Sequence, residues 1–167
     1  MTEQITVIDT LVVGAGQAGV AMSEHLTRLD IPHLVLEKQG IAQAWRTGRW
    51  DSLVANGPAW HDRFPGMAFA NCAADGFVAK EQIADYFEAY AQSFGAPIRT
   101  GVEVFSAERL SGRPGFRIET SQGVIESAAN CRRDRAFPTS GDPGHCTDDS
   151  GDKANPFRAL CQPTAVG

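Results

Sequence analysis

Gly14, Gly16 and Gly19 stand in the run Gly14-Ala15-Gly16-Gln17-Ala18-Gly19, a G-x-G-x-x-G spacing. That spacing suits one piece of chemistry, the holding of a diphosphate by backbone amides. Gly14 permits a tight turn. Gly16 carries no side chain, so a pyrophosphate can approach the backbone. Gly19 lets the following helix pack close against the preceding strand. The phosphates then meet the free N–H groups and the positive end of that helix, beginning with Gln17 and Ala18. Glu37 lies downstream at about the distance, roughly 20 residues, where an acid accepts hydrogen bonds from both hydroxyls of an adenosine ribose. A carboxylate there repels a 2′-phosphate, so the pattern suits FAD or NAD rather than NADP. The glycines and Glu37 do not separate FAD from NAD, because both carry ADP. The bland alternative is a glycine-rich turn followed by an unrelated surface glutamate.

The context decides how much the glycines mean. Residues 5–13 read as a strand ending in the fully apolar Leu11-Val12-Val13, as a buried parallel strand does. Residues 17–29 read as a helix with Val20, Met22, Leu26 and Leu29 mostly on one face. Asp30-Ile31-Pro32 ends it, since a residue before proline avoids the helical region. Residues 33–37 read as a second strand. Strand, helix and parallel strand in about 30 residues make a βαβ unit. Residues 40–77 look irregular and rich in Trp, Gly and Pro. Residues 81–94 read as an amphipathic helix with Ile83, Tyr86, Phe87 and Tyr90 at helical spacing, stopped by Gly95 and Pro97. Residues 98–105 alternate as a strand. Residues 116–120 and 124–126 read as a hairpin across Ser121-Gln122-Gly123.

Several segments resemble bacterial flavin-containing monooxygenase-like proteins, FAD-dependent NAD(P)-linked oxidoreductases. They are the run from Val12 through the glycines to Ser23, Val35-Leu36-Glu37-Lys38, and Ala44-Trp45-Arg46. Trp50-Asp51-Ser52-Leu53-Val54-Ala55-Asn56-Gly57-Pro58-Ala59-Trp60 and Asp75-Gly76-Phe77 complete the likeness, which covers residues 10–130. The resemblance favours FAD over NAD. It implies a first dinucleotide fold holding FAD, a second binding NADPH, and a flavin that takes hydride and reacts with oxygen. On motif positions it implies that Gly14, Gly16, Gly19 and Glu37 hold FAD, with Lys38, Trp45 and Arg46 near it. It also implies a backbone contact to adenine at Val104. Trp50 and Trp60 are expected to pack in a loop layer, and Asp51, His61 and Asp62 to be solvated. No catalytic acid, base or nucleophile stands out, and the substrate is not readable.

Composition bounds the rest. Net charge is -5, with 43% hydrophobic and 21% charged residues, which argues against nucleic-acid or anionic-membrane partners. No apolar run is long enough to span a bilayer and residues 1–8 lack a secretion signal, so a cytoplasmic location is expected. The four cysteines, Cys72, Cys131, Cys146 and Cys161, form no C-x-x-C pair, so no metal site is expected.

The pattern changes near Asn130. Residues 131–167 show no strand or helix period, and by composition form a disordered tail. The resembling family continues with a strand ending in Ala-Thr-Gly and later repeats G-x-G-x-x-G, and neither occurs here. Codons compatible with residues 131–143, read one base on, encode Val-Val-Ala-Thr-Gly-Pro-Phe-Gln-Arg-Pro-Val-Ile. The same shift over residues 155–162 yields Ile-His-Ser-Gly-His-Tyr-Ala, so the tail reads as out of frame. Arg132, Arg133 and Arg135 as an anion site, and His145, Cys146 and Asp148 as a metal site, are discounted on that ground. The expectation is an α/β chain: a partial, incomplete Rossmann-like FAD-binding βαβ domain with a small β-meander over residues 1–130, then the tail. Two alternatives stay open, a non-catalytic nucleotide-binding remnant and the start of an NAD-dependent dehydrogenase. The latter leaves residues 50–60 unexplained.

Overall fold

The computed structural model describes residues 5–132. Residues 133–167, which hold nearly all of the tail expected to be out of frame, lie outside them, as do Arg133 and Arg135 of the discounted anion site and the whole discounted metal site. The elements run β1 (Thr6–Val13), α1 (Gln17–Arg28), β2 (His33–Glu37), α2 (Gln43–Thr47), α3 (Ala59–Asp62), α4 (Lys80–Ser93), β3 (Ile98–Thr100), β4 (Val104–Arg109), β5 (Phe116–Thr120) and β6 (Gly123–Arg132). They form one six-stranded sheet in the order β3-β2-β1-β6-β5-β4. The α/β, Rossmann-like class expected from the sequence is the fold observed.

β1 is central because its apolar end is buried on both faces. Val12 packs with Ala15, Leu26 and Val35 on the α1 side. Leu11 packs with Leu36 of β2, Val102, and Val104, Ile118 and Ile125 of the β4-β5-β6 meander. Leu11, Val35 and Ile118 are completely buried. Each such side chain contributes roughly 1.5–3 kcal/mol of burial. β1 pairs in parallel with β2 on one side and β6 on the other.

A third cluster joins α4 to the loop layer. Ile83, Phe87 and Tyr90 of α4 meet Ala55, Ala59 and Phe64, with Val20 of α1 beneath. The periodicity of α4 therefore buries a stripe against a layer that has no regular period of its own.

Several boundaries differ from the sequence reading. Residues 98–105 are two strands. Gly101 turns the chain at φ +73°, so β3 pairs in parallel with β2 while β4 pairs antiparallel with β5. Residues 40–77 contain the short helices α2 and α3. Leu29, expected on the apolar face of α1, is exposed, and Ser23 takes a buried place instead. β6 is longer than the expected 124–126 hairpin strand and runs beside β1 until Arg132 pairs with Val13. Residues 131 and 132, expected to lie past the last strand, are thus its final two residues. Register with β1 needs only backbone groups, so it continues where side-chain pattern stops. The hairpin matches the sequence reading: Thr120 pairs with Gly123 across Ser121 and Gln122.

Candidate functional site: the glycine turn and Glu37

β1 delivers Gly14 to the carboxyl end of the central strands, where its N–H donates to Leu36 O at 2.7 Å. Gly14 has φ +94°, a conformation that side-chain-bearing residues rarely adopt. A Cβ on Gly19 would stand 1.8 Å from Gly14 O, so the helix reaches this closeness only with glycine there. A Cβ on Gly16 would meet nothing within 4 Å. The three glycines thus play three different parts: a turn, an open face and a close approach.

Gly16 is the N-cap of α1 and makes no side-chain cap. The first intrahelical acceptance there is Val20 N–H to Gly16 O at 2.9 Å. Gln17, Ala18 and Gly19 precede it, in the turn whose N–H groups have no intrahelical acceptor. No acidic residue sits in that first turn to neutralise its positive end. The helix terminus is therefore open to an anion.

Glu37 reaches into this turn from the end of β2. One carboxylate oxygen accepts Ala15 N–H at 2.8 Å and the other accepts Gln39 N–H at 2.9 Å. Two further backbone bonds close the neighbourhood. Ala42 N–H donates to Ala15 O at 2.9 Å, and Val102 N–H donates to Glu37 O at 3.0 Å. The second of these draws the segment leading into Val104 against the end of β2. Ala15, Gln39, Ala42 and Val102 were not singled out from sequence. They act through backbone groups, which leave no residue-type signal.

The other expected site residues fall in different places. Lys38 is exposed. Trp45 stands edge-on to Phe87 at 6.1 Å, with the Arg49 guanidinium 4.2 Å from its ring centre. Arg46 pairs with Asp85 at 2.8 Å and Glu88 at 3.1 Å, stitching α2 to α4. The Asp85 hydrogen bond holds the Arg46 guanidinium above its ordinary range. Val104 is buried, with its side chain in the core. Trp50 and Trp60 do not pack as expected: they are 64% and 55% exposed, and the small residues Ala55 and Ala59 are the ones buried in this segment. Asp51 is not merely solvated but pairs with Lys80 at 2.9 Å. Asp62 accepts Gly57 N–H at 2.9 Å and faces His61 Nδ1 at 2.7 Å. Among the described residues no group of three potential metal-ligating side chains is gathered, and no helix is long and apolar enough to cross a membrane.

A parallel βαβ unit with this turn and acid defines a dinucleotide-binding class of oxidoreductase domain. The family model for pyridine nucleotide-disulphide oxidoreductases matches residues 11–129, and the chain belongs to that family. Among its relatives, an uncharacterized CzcO-like oxidoreductase of Geobacillus kaustophilus is 39% identical over 70% of this chain and 33% of its own length. A probable indole-3-pyruvate monooxygenase of Arabidopsis thaliana, YUCCA7, is 31% identical over 66% of this chain and 26% of its own. The structure of a flavin-containing monooxygenase from Stenotrophomonas maltophilia shares the fold, with a TM-score of 0.67 and 21% identity over 77% of this chain and 38% of that one. The chain spans about a third of the length of the first curated relatives it matches.

Proposed function

We propose that this chain is the FAD-binding portion of a flavin-dependent, NADPH-using, monooxygenase-like oxidoreductase. The observation that carries the reading is the uncapped α1 terminus behind the glycine turn, with the Glu37 carboxylate bonded to Ala15 N–H beside it. The residues fit an ADP group. Gly16 leaves room for the diphosphate, the N–H groups of Gln17 and Ala18 face it, and Glu37 offers oxygens to ribose hydroxyls. Lys38, Trp45 and the backbone of Val104 belong to the same proposed surround. Arg46 joins it only through α2, since its guanidinium is engaged by Asp85 and Glu88. Bound flavin supplies the hydride-accepting and oxygen chemistry, while the protein orients it and excludes competing reactions. The substrate is left open by this reading, and residues 1–167 alone turn over no NADPH in it.

The test is titration of the purified chain with FAD, ADP and NAD, followed by NADPH oxidation with FAD added. Saturable FAD binding displaced by ADP, with no NADPH consumption, is the expected result. Preference for NAD over FAD would establish the dehydrogenase reading, and no nucleotide binding would mean an inert remnant and overturn the nucleotide-binding readings.

A further inference from the structure

We propose that an open pocket beside α3, separate from the glycine turn, binds a planar aromatic carboxylate. The pocket has a volume of about 550 Å³ and is lined by Trp60 and Arg63 together with the turn at residues 64–68. That volume falls within the range, roughly 300–1,000 Å³, of small-molecule sites.

The turn is a rigid wall because α4 holds it by three hydrogen bonds. Tyr86 Oη accepts Phe64 N–H at 2.6 Å and donates to Met67 O at 2.8 Å. Tyr90 Oη donates to Pro65 O at 3.3 Å. Phe64 lies 4.6 Å from Tyr90 and 5.2 Å from Phe87, centre to centre, so the wall is backed by aromatic packing. Burial holds both tyrosine hydroxyls above their ordinary range, which keeps them neutral donors.

Arg63 supplies the charge. Its sequence neighbour Asp62 is engaged by Gly57 N–H and His61, and among the described residues no acid pairs with Arg63. Glu24 lines a neighbouring depression, shared through Pro65, Gly66 and Met67, rather than this pocket. A free guanidinium matches one carboxylate through two parallel N–H bonds. A multiply charged phosphate is the poorer fit, because Arg63 is a single cation and matches only one unit of its charge. Trp60, more than half exposed, offers a ring face or edge at the same mouth, and Met67 a polarisable sulfur.

The probe is 2-naphthoate, titrated into the full chain by calorimetry, with 2-naphthamide and inorganic phosphate alongside. Saturable naphthoate binding is expected, weakened about tenfold in Arg63→Gln by loss of the charged hydrogen bonds. The neutral amide should bind equally weakly to both forms, and Trp60→Ala should weaken both ligands. Circular dichroism melts of the variants should coincide with the parent, since both side chains are exposed. Naphthoate affinity unchanged in Arg63→Gln, phosphate binding as tight as naphthoate, or absence of saturable binding would each overturn the proposal. FAD titration of the same variants separates the sites, because failure of the naphthoate site leaves nucleotide binding as it was.

Discussion

Glu37 and Ala15, 22 residues apart, are joined by a 2.8 Å hydrogen bond from the Ala15 amide to the Glu37 carboxylate. This bond ties the end of β2 to the turn after β1. It sets the distance between the two features that the sequence offered separately, the glycines and the acid. The same carboxylate caps Gln39 N–H, so the acid is oriented before any ligand arrives.

Glu37→Ala should therefore lose both binding and stability. Two amides lose a charged acceptor, which costs about 2 kcal/mol at this half-buried position. FAD and ADP affinity should fall by about tenfold or more, since ribose hydroxyls lose their acceptor. Glu37→Gln keeps one acceptor oxygen and should fall between the two. Flavin titration combined with urea unfolding reads both quantities. An Ala variant that binds FAD as the parent does would remove Glu37 from the site.

Gly16 and Gly19 should separate binding from folding. Gly19→Ala places a methyl 1.8 Å from Gly14 O, and α1 must shift away from β1. Overpacking of this kind costs about 1–3 kcal/mol. Gly16 has φ −82° and ψ −169°, which a branched residue adopts without strain, and a Cβ there meets open space. Gly16→Val should fold with a modest loss, about 1 kcal/mol, for an unfavourable N-cap residue, yet lose FAD binding altogether, because the side chain occupies the diphosphate's approach. The comparison needs only melts and flavin titrations. Retained FAD affinity in Gly16→Val would show that the nucleotide sits elsewhere.

Lys80 and Asp51 should give the acid limb of the stability curve a specific component. Lys80 Nζ, at the start of α4, reaches Arg49 O at 3.3 Å and Asp51 Oδ1 at 2.9 Å. The Lys80 hydrogen bond holds the Asp51 carboxyl below its ordinary 3.8. A carboxylate depressed in the folded state contributes stability that is full above its unfolded value and is lost as pH falls through the folded one. Lys80 is raised by Asp51 above 10.5, so its contribution is full below that value and is lost as pH rises through the folded one. Asp51→Asn should thus lower the melting temperature slightly at pH 7 and converge with the parent as the solution is taken well below pH 3.8. An offset between the two that stays constant through the acid range would mean that the pair contributes nothing through charge.

Much of the βαβ unit was legible because its signals are local. Gly14, Gly16 and Gly19 announce their roles through what a side chain would hit or forbid, and the apolar run at Leu11-Val12-Val13 has no soluble alternative to burial. The helix ending in Ser93 was readable from Ile83, Phe87 and Tyr90 for the same reason. Residues 98–105 were not: one alternating pattern serves two strands with different partners, and only the left-handed Gly101 divides them. Nor were α3, or α2, which Arg46 ties to Asp85 and Glu88 of α4; nor was the turn at residues 64–68, which the Tyr86 and Tyr90 hydroxyls hold from another element.

By itself, the amino-acid sequence determined the strand–turn–helix–strand order and the kind of ligand its glycines and acid suit. Those follow from backbone conformations open only to glycine and from the spacing of apolar residues. Tertiary structure alone decided that β6 completes the other side of β1, that Arg46 serves Asp85 and Glu88, and that Trp50 and Trp60 face solvent. Each of those depends on partners far apart in the chain, and a side chain's spacing along one element carries no record of what packs against it.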